Sequence, residues 1–238
     1  MSIDKPILII SHERSGWHFL ANAIAFNSRY SNEQIDFPLT TDKDRLESFL
    51  RQQNGNTDRI YKSHHDFIAL EPVWPLIRQK FHVLYLIRDG HDVMTSCFYY
   101  FNKYSNRDFF KTETVGEMMR TNPEGKGKGF HECYWNRPVN NMVDRWAKHA
   151  LGYLAKHDIG IIKYEDLYND FEWTLSKINN DLRLNRDKSL FEYRKPTLKD
   201  KCVFPRKGII GDWKNHFTEE DKIFFNNQVR LAMKLAGY

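Results

Sequence analysis

Cysteine is scarce in this chain, with three among 238 residues. Cys97, Cys133 and Cys202 are odd in number and far apart, with no CxxC or histidine pairing. That pattern argues against a disulfide framework and against a structural zinc site. No apolar run reaches the length that spans a bilayer. The opening "MSIDKP" leaves no room for a signal peptide before the first apolar run. These absences lead us to expect a cytoplasmic protein of a reducing compartment, without a membrane partner. There is no internal repeat and no block of one charge, so the net charge of +5 and pI near 8.9 mark a mildly basic surface only. Such a balance suits a small anionic ligand and would also suit nucleic acid.

What is present is a core. Hydrophobic residues make up 41% of the chain and aromatics 15%, enough for a substantial α/β interior. Strand-like runs stand at 7–10 ("ILII"), 59–62 ("RIYK"), 81–87 ("FHVLYLI") and 159–164 ("IGIIKY"). Segments with helical spacing lie at 15–30, 42–53, 66–80, 89–104, 138–157 and 166–182, with Pro72 and Pro75 and the "NGNT" turn at 54–57 as breaks. Continuous apolar strands alternating with helices predict a central parallel sheet covered on both faces, in one domain over 1–238. A last helix is expected at 218–236, with Thr218 as N-cap and Glu219, Glu220 and Asp221 in its first turn. Residues 105–137, which contain "NPEGKGKGF", carry no period and read as a mobile insertion on the substrate side.

One further absence concerns the first connection. "ILIISHERSGWHFL" is strand, short loop, helix, the geometry that aims backbone amides at an anion. The triphosphate signature Gly-Lys-Ser/Thr is missing from it. Arg14 instead adds a guanidinium at the mouth of a helix N-terminus. An ordinary connection with Ser15 as N-cap is the plainer alternative.

Three more segments place cations where open α/β sheets bind ligands. Arg88 ends the strongest strand and Ser96 lies about two helical turns on, although Arg88 could simply pair with Asp89 or Asp92. Lys62 ends the strand at 59–62, with His64 and His65 next; histidine titrates near neutrality and can take a proton from an attacking hydroxyl. Arg206, Lys207 and Gly208 form a basic turn that can wrap a phosphate or stand as a solvated charge cluster. No carboxylate pair stands at a strand end, and no hydroxyl follows Gly16 where magnesium would be held, so metal-independent chemistry is expected.

Taken together, "RDGHDVMTSCFYY", "YEDL" at 164–167 and "RKGIIGDWKNHFT" at 206–218 resemble the sulfotransferases that use 3′-phosphoadenosine 5′-phosphosulfate (PAPS), the cytosolic type above all. The resemblance runs from the first strand to the last helix, leaving out 105–137. It implies a P-loop nucleoside triphosphate hydrolase-like fold of the sulfotransferase type. It implies that Arg14, Ser15, Gly16, Trp17, His18 and Phe19 form the 5′-phosphosulfate loop, with Phe19 where the family stacks Trp on adenine. Arg88 and Ser96 match the 3′-phosphate contacts, Arg206, Lys207 and Gly208 the turn that completes that pocket, and Tyr164 a residue at the adenine edge. Lys62 and Arg14 fall where sulfuryl-contacting cations stand, and His64 where the base stands.

The loop departs from the usual Pro-Lys-Ser-Gly-Thr-Thr-Trp by Glu13, Arg14, Trp17, His18 and Phe19. Trp17 and His18 replace two hydroxyls that normally touch phosphate. The family's dimer motif needs Val at 219 and Glu at 223, where this chain has Glu219 and Ile223, so the usual dimer is not implied. The resemblance therefore implies transfer of a sulfuryl group from PAPS to a hydroxyl or amine of a small-molecule or carbohydrate acceptor. The other readings of the residues are a P-loop phosphotransferase and an inactive nucleotide- or nucleic-acid-binding relative.

Overall fold

A computed structural model describes residues 5–53, 57–104, 111–124, 133–156, 158–182, 193–197, 200 and 207–238. Arg206, Cys202 and most of the expected turn at 54–57 lie outside the described residues. A five-stranded sheet of order β2-β3-β1-β4-β5 runs through the middle, every neighbouring pair parallel. Its strands are β1 (Ile7–Ser11), β2 (Ser31–Asp36), β3 (Arg59–Ser63), β4 (His82–Ile87) and β5 (Gly160–Lys163).

β1 is buried along its whole length, as a central strand with helices on both faces must be. Its side chains alternate between two cores. Leu8 and Ile10 join Tyr61, Val83, Tyr85, Trp146 and Phe225 on one face, whereas Ile7 and Ile9 join Leu20, Leu84, Ile162 and Leu175 on the other. The chain leaves β1 toward β2 and β3 and returns to β4 on the opposite side, which places the topological switch at the carboxyl end of β1.

Ten α-helices are described: α1 (Trp17–Phe26), α2 (Lys43–Gln52), α3 (Phe67–Leu70), α4 (Trp74–Lys80), α5 (Gly90–Tyr104), α6 (Val115–Arg120), α7 (Met142–Leu154), α8 (Tyr164–Asn169), α9 (Phe171–Asp181) and α10 (Glu219–Ala236). α10 starts at a capping box between Thr218 and Asp221, as its sequence predicts, and ends at Gly237, whose φ of 72° is the left-handed C-cap.

Several boundaries differ from the periodicity, each for a local reason. The helix expected over 15–30 stops at Phe26, because the Asn27 amide bonds back to Ala23 and the chain turns into β2. β2 reads "SNEQID", and its single aliphatic residue gave no strand signal; as the edge strand it needs little apolar surface. The segment 66–80 splits into α3, a 3₁₀ turn at Glu71–Val73 and α4, with Pro72 and Pro75 each in the first turn of its piece. α6 falls within 105–137 and sends Val115, Met118 and Met119 into the main core.

Candidate active site

Every cation singled out in the sequence and described lies at the carboxyl edge of the sheet. The loop after β1 carries two left-handed residues, Gly16 at φ 97° and the non-glycine Arg14 at φ 68°. Glycine is required at 16 twice over, since a β-carbon there would stand 2.5 Å from the Tyr164 ring. The loop then feeds α1 directly, and a helix N-terminus favours an anion there, although the Ser15 amide itself turns back to the His12 carbonyl at 3.3 Å. The buried Ser15 Oγ has no hydrogen-bond partner among the described residues.

Arg14 turns toward α5. Its Nε donates to Ser96 Oγ at 3.2 Å, and its guanidinium lies 4.8 Å from the Tyr100 ring centre. Arg88, almost fully buried, donates to the carbonyls of Arg14 (3.4 Å) and Ile209 (3.0 Å) and lies 4.5 Å over the Tyr164 ring. Its distance to Asp92 is 3.9 Å. Asp92 spends its two oxygens instead on the backbone amides of Gly211 (2.7 Å) and Trp213 (3.2 Å). This clamp ties "KGIIGDW" to the start of α5, and Tyr164 adds a bond to the Gly208 carbonyl at 3.0 Å.

Beside these residues opens a cavity of about 230 Å³. His18, Phe19 and Asn22 of α1 form one wall, Tyr164 and Tyr168 another, and Lys207 and Gly208 the rim. Phe19 and Tyr164 are 5.8 Å apart, ring centre to ring centre. A flat aromatic ligand with a polar edge suits such walls.

On the other side of α1 stands a histidine pair. His64 Nδ1 lies 2.7 Å from the Ser11 carbonyl, so that nitrogen carries the proton and Nε2 presents its lone pair. His65 has neither ring nitrogen to spare, with Nδ1 on Ser63 Oγ at 2.8 Å and Nε2 on the Thr40 carbonyl at 3.0 Å. Lys62 forms an ion pair with Asp36 of β2 at 2.7 Å. The Tyr134 ring packs edge-on against both histidines. Burial lowers the pKa of His64, with Glu13 opposing and Lys62 assisting. Burial, Lys62 and Arg14 bring His18 down to about 4. Both imidazoles are neutral near pH 7.

Arg14, Ser15, Gly16, Trp17, His18, Phe19, Lys62, His64, Arg88, Ser96, Tyr164, Lys207 and Gly208 thus gather around the carboxyl end of β1 and the start of α1, with His18, Phe19, Tyr164, Lys207 and Gly208 lining the cavity. The geometry adds residues not singled out in the sequence as site members: Glu13, Asp36, Asp92, Tyr134, Arg145 and Tyr168. Among the described residues, no cluster of three or more His, Cys, Asp or Glu is placed to hold a metal ion, and no helix is long and apolar enough to cross a membrane.

A parallel sheet whose switch-point loop leads into a helix N-terminus beside guanidinium groups is suited to hold an anion at the carboxyl end of β1. The sequence model of the sulfotransferase domain matches residues 4–237. Sulfotransferase 2A1 of Homo sapiens is 24% identical over 267 aligned positions, spanning 98% of this chain and 87% of that protein. The 3-beta-hydroxysteroid sulfotransferase of Cavia porcellus is 28% identical over 226, spanning 80% and 70%. Among solved structures, mouse sulfotransferase SULT7A1 complexed with PAP superposes with a TM-score of 0.67 at 22% identity, covering 100% of this chain and 90% of that one. A sulfotransferase from Alicyclobacillus acidocaldarius gives 0.56 at 14%, covering 99% and 97%. This chain belongs to the sulfotransferase family and is an enzyme of that class.

Proposed function

We propose that the enzyme moves the sulfuryl group of PAPS onto a hydroxyl or amine of a small-molecule acceptor, with His64 as general base. The observation that carries this reading is the Nδ1 bond of His64 to the Ser11 carbonyl at 2.7 Å, which fixes the tautomer with Nε2 open. His65, bonded at both nitrogens, is the scaffold and His64 the base.

The donor fits the remaining groups. Ser15 Oγ and Arg88 Nε are buried and lack partners among the described residues; an anion at each supplies what is missing. The loop amides and Ser15 receive the 5′-phosphosulfate, and the purine enters the cavity between Phe19, Tyr164 and Tyr168. Arg88, Ser96, Arg206, Lys207 and Gly208 hold the 3′-phosphate. Solved relatives complexed with PAP support a donor of this class. Relatives named for hydroxysteroids and one solved with retinol support a small hydroxylated acceptor.

In the transfer, the acceptor O–H loses its proton to His64 Nε2 as its oxygen attacks sulfur. The bond from sulfur to the 5′-phosphate oxygen breaks, and its electron pair leaves with that oxygen. Arg14 and Lys62 face the charge that spreads over sulfuryl oxygens and leaving phosphate. Lys62 must exchange Asp36 for the sulfuryl group to do so. A panel of phenols, alcohols, amines and sugars incubated with sulfur-labelled PAPS tests the reading. Label is expected on at least one acceptor, with release of 3′-phosphoadenosine 5′-phosphate; tight ATP binding with phosphoryl transfer instead would move the enzyme to the phosphotransferases.

A further inference from the structure

Between the Ser11 carbonyl that anchors His64 and Arg14 of the phosphate loop, the chain buries a charge at Glu13. Arg145, from the middle of α7, is wholly inaccessible to solvent. Its guanidinium grips both carboxylate oxygens of Glu13, one of them at 2.7 Å, and also donates to His12 Nε2 at 2.8 Å. His12 in turn donates through Nδ1 to the Glu13 carbonyl at 3.0 Å. Burial opposes the ionisation of Glu13, yet Arg145 holds its carboxyl well below the usual range. Burial brings His12 down to about 4. The cluster is therefore cation, anion and neutral imidazole. An ion pair taken out of water stabilises a fold little better than apolar residues of the same volume, so what it holds in place matters more than what it contributes to stability.

It holds the strip from Ser11 to Arg14. At the near end, the Ser11 carbonyl takes the Nδ1 proton of His64. At the far end, Arg14 keeps a left-handed backbone at φ 68°, a conformation that a residue other than glycine retains only where its surroundings impose it. The titratable groups that face His64 come from several elements: the charged Glu13, Lys62 and Arg145, and the neutral imidazoles of His12, His18, His65 and His149. Tyr134 lies edge-on at 5.8 Å. Of these, Glu13 is the carboxylate that favours a proton on the imidazole, while Lys62 and Arg145 oppose it.

We propose that Glu13 and Arg145 are positioning residues for His64: the pair fixes the strip that aims the imidazole, and the Glu13 carboxylate steadies the imidazolium formed when the acceptor's proton arrives. The proposal rests on the reading of His64 as base.

The test is Glu13→Gln in the full chain, which keeps the side-chain size and removes the charge. Turnover is expected to fall at least tenfold while the dissociation constant for 3′-phosphoadenosine 5′-phosphate stays within about fivefold. The acid limb of the kcat profile is expected to move to lower pH, because the charge that raises the His64 pKa is gone. In a His64→Ala background the same change should cost less than twofold, since it then has no base to act through. A folded Glu13→Gln enzyme with unchanged kcat and acid limb overturns the proposal, as does an equal loss in the His64→Ala background. If Glu13→Gln does not fold, the paired Glu13→Leu/Arg145→Met variant removes both charges together; it is expected to fold and remain slow, and full activity there overturns the proposal. Near-normal turnover of His64→Ala alone sinks the base reading, and this inference with it, whatever Glu13→Gln does.

Discussion

The two sides of α1 are finished differently. On the cavity side, the contacts are rings, backbone and buried guanidinium: Arg88 over Tyr164 at 4.5 Å, Tyr164 on the Gly208 carbonyl at 3.0 Å, and Asp92 on the amides of Gly211 and Trp213. Those partners are locked by packing before any ligand arrives. On the His64 side, one charged side chain is left able to move, since the Lys62–Asp36 pair at 2.7 Å is partly solvated, with about half of the Asp36 side chain exposed. On the proposed reading, the contrast suits a nucleotide that is always held in one way and a sulfuryl group whose charge Lys62 meets only at the moment of transfer. A preformed pocket lowers the cost of binding the donor; a cation held by a counter-ion waits for the charge it is to stabilise.

The largest test of that contrast is His64→Ala. General-base catalysis is worth about 10²–10⁴-fold, so turnover is expected to drop by that much while donor binding changes only a few-fold. His65→Ala should behave in the opposite way. It breaks the bonds to Ser63 and Thr40, and thermal unfolding is expected to show the loss more than kcat does. Equal effects of the two substitutions on turnover would erase the distinction between the adjacent imidazoles.

On the cavity side, Arg88→Ala and Arg206→Ala are each expected to weaken donor binding by about 1.5–3 kcal/mol, roughly 10- to 150-fold. A donor analogue without the 3′-phosphate should lose much less. Calorimetric titration of both nucleotides makes the comparison, and matching losses would take these arginines off the 3′-phosphate.

Buried neutral histidines give the next effect. Burial brings His12 and His65 from 6.5 to about 4 and His149 well below 6.5. The folded pKa of each lies below the unfolded one, so the unfolded chain binds more protons. Their contribution is complete above pH 6.5 and is lost as pH falls from 6.5 toward the folded values near 4. Each full proton difference tilts stability by about 1.4 kcal/mol per pH unit. Urea unfolding at intervals from pH 7.5 to 4.5 should trace that decline; a flat profile would mean that these rings are not buried neutral. Turnover should hold steady above pH 6.5 and decline only below it, since burial keeps His64 under its ordinary value.

How far the sequence reveals each side follows from the distances along the chain. β1, β4 and α5, and the clustering of Arg14, Arg88, Tyr164 and Gly208, are legible because each cation ends a run of apolar residues and the fold class brings strand ends together. The His64 side is less so. Asp36 sits on a polar edge strand with one aliphatic residue, Tyr134 lies in a stretch with no period, and α6 is six residues long. Glu13 and Arg145 are separated by 132 positions, and Asp92 reaches amides 119 and 121 positions away. No local pattern links residues at such separations; only the packed chain does. The choice between His64 and His65 is of the same kind, since it depends on which carbonyl each ring meets.

The smallest effect expected is at Asp36, and it bears most directly on the contrast between the two sides. Asp36 and Lys62 are register partners on β2 and β3, so they cannot drift apart along the sheet, and their side chains meet at the crevice mouth. If the carboxylate holds Lys62 in reserve, it competes with the sulfuryl oxygens for the same ammonium. Asp36→Asn removes the competing charge and keeps the shape. Partly exposed pairs are worth about 0.2–1 kcal/mol, so the apparent affinity for PAPS should rise roughly 1.5- to 5-fold. Affinity for 3′-phosphoadenosine 5′-phosphate, which has no sulfuryl group, should stay nearly constant. Raising the salt concentration should narrow the difference between wild type and variant, since screening weakens the pair that the substitution removes. Equal gains for both nucleotides would place Lys62 on the phosphate rather than the sulfuryl group. A loss of PAPS affinity would show that Asp36 aims the lysine rather than restraining it.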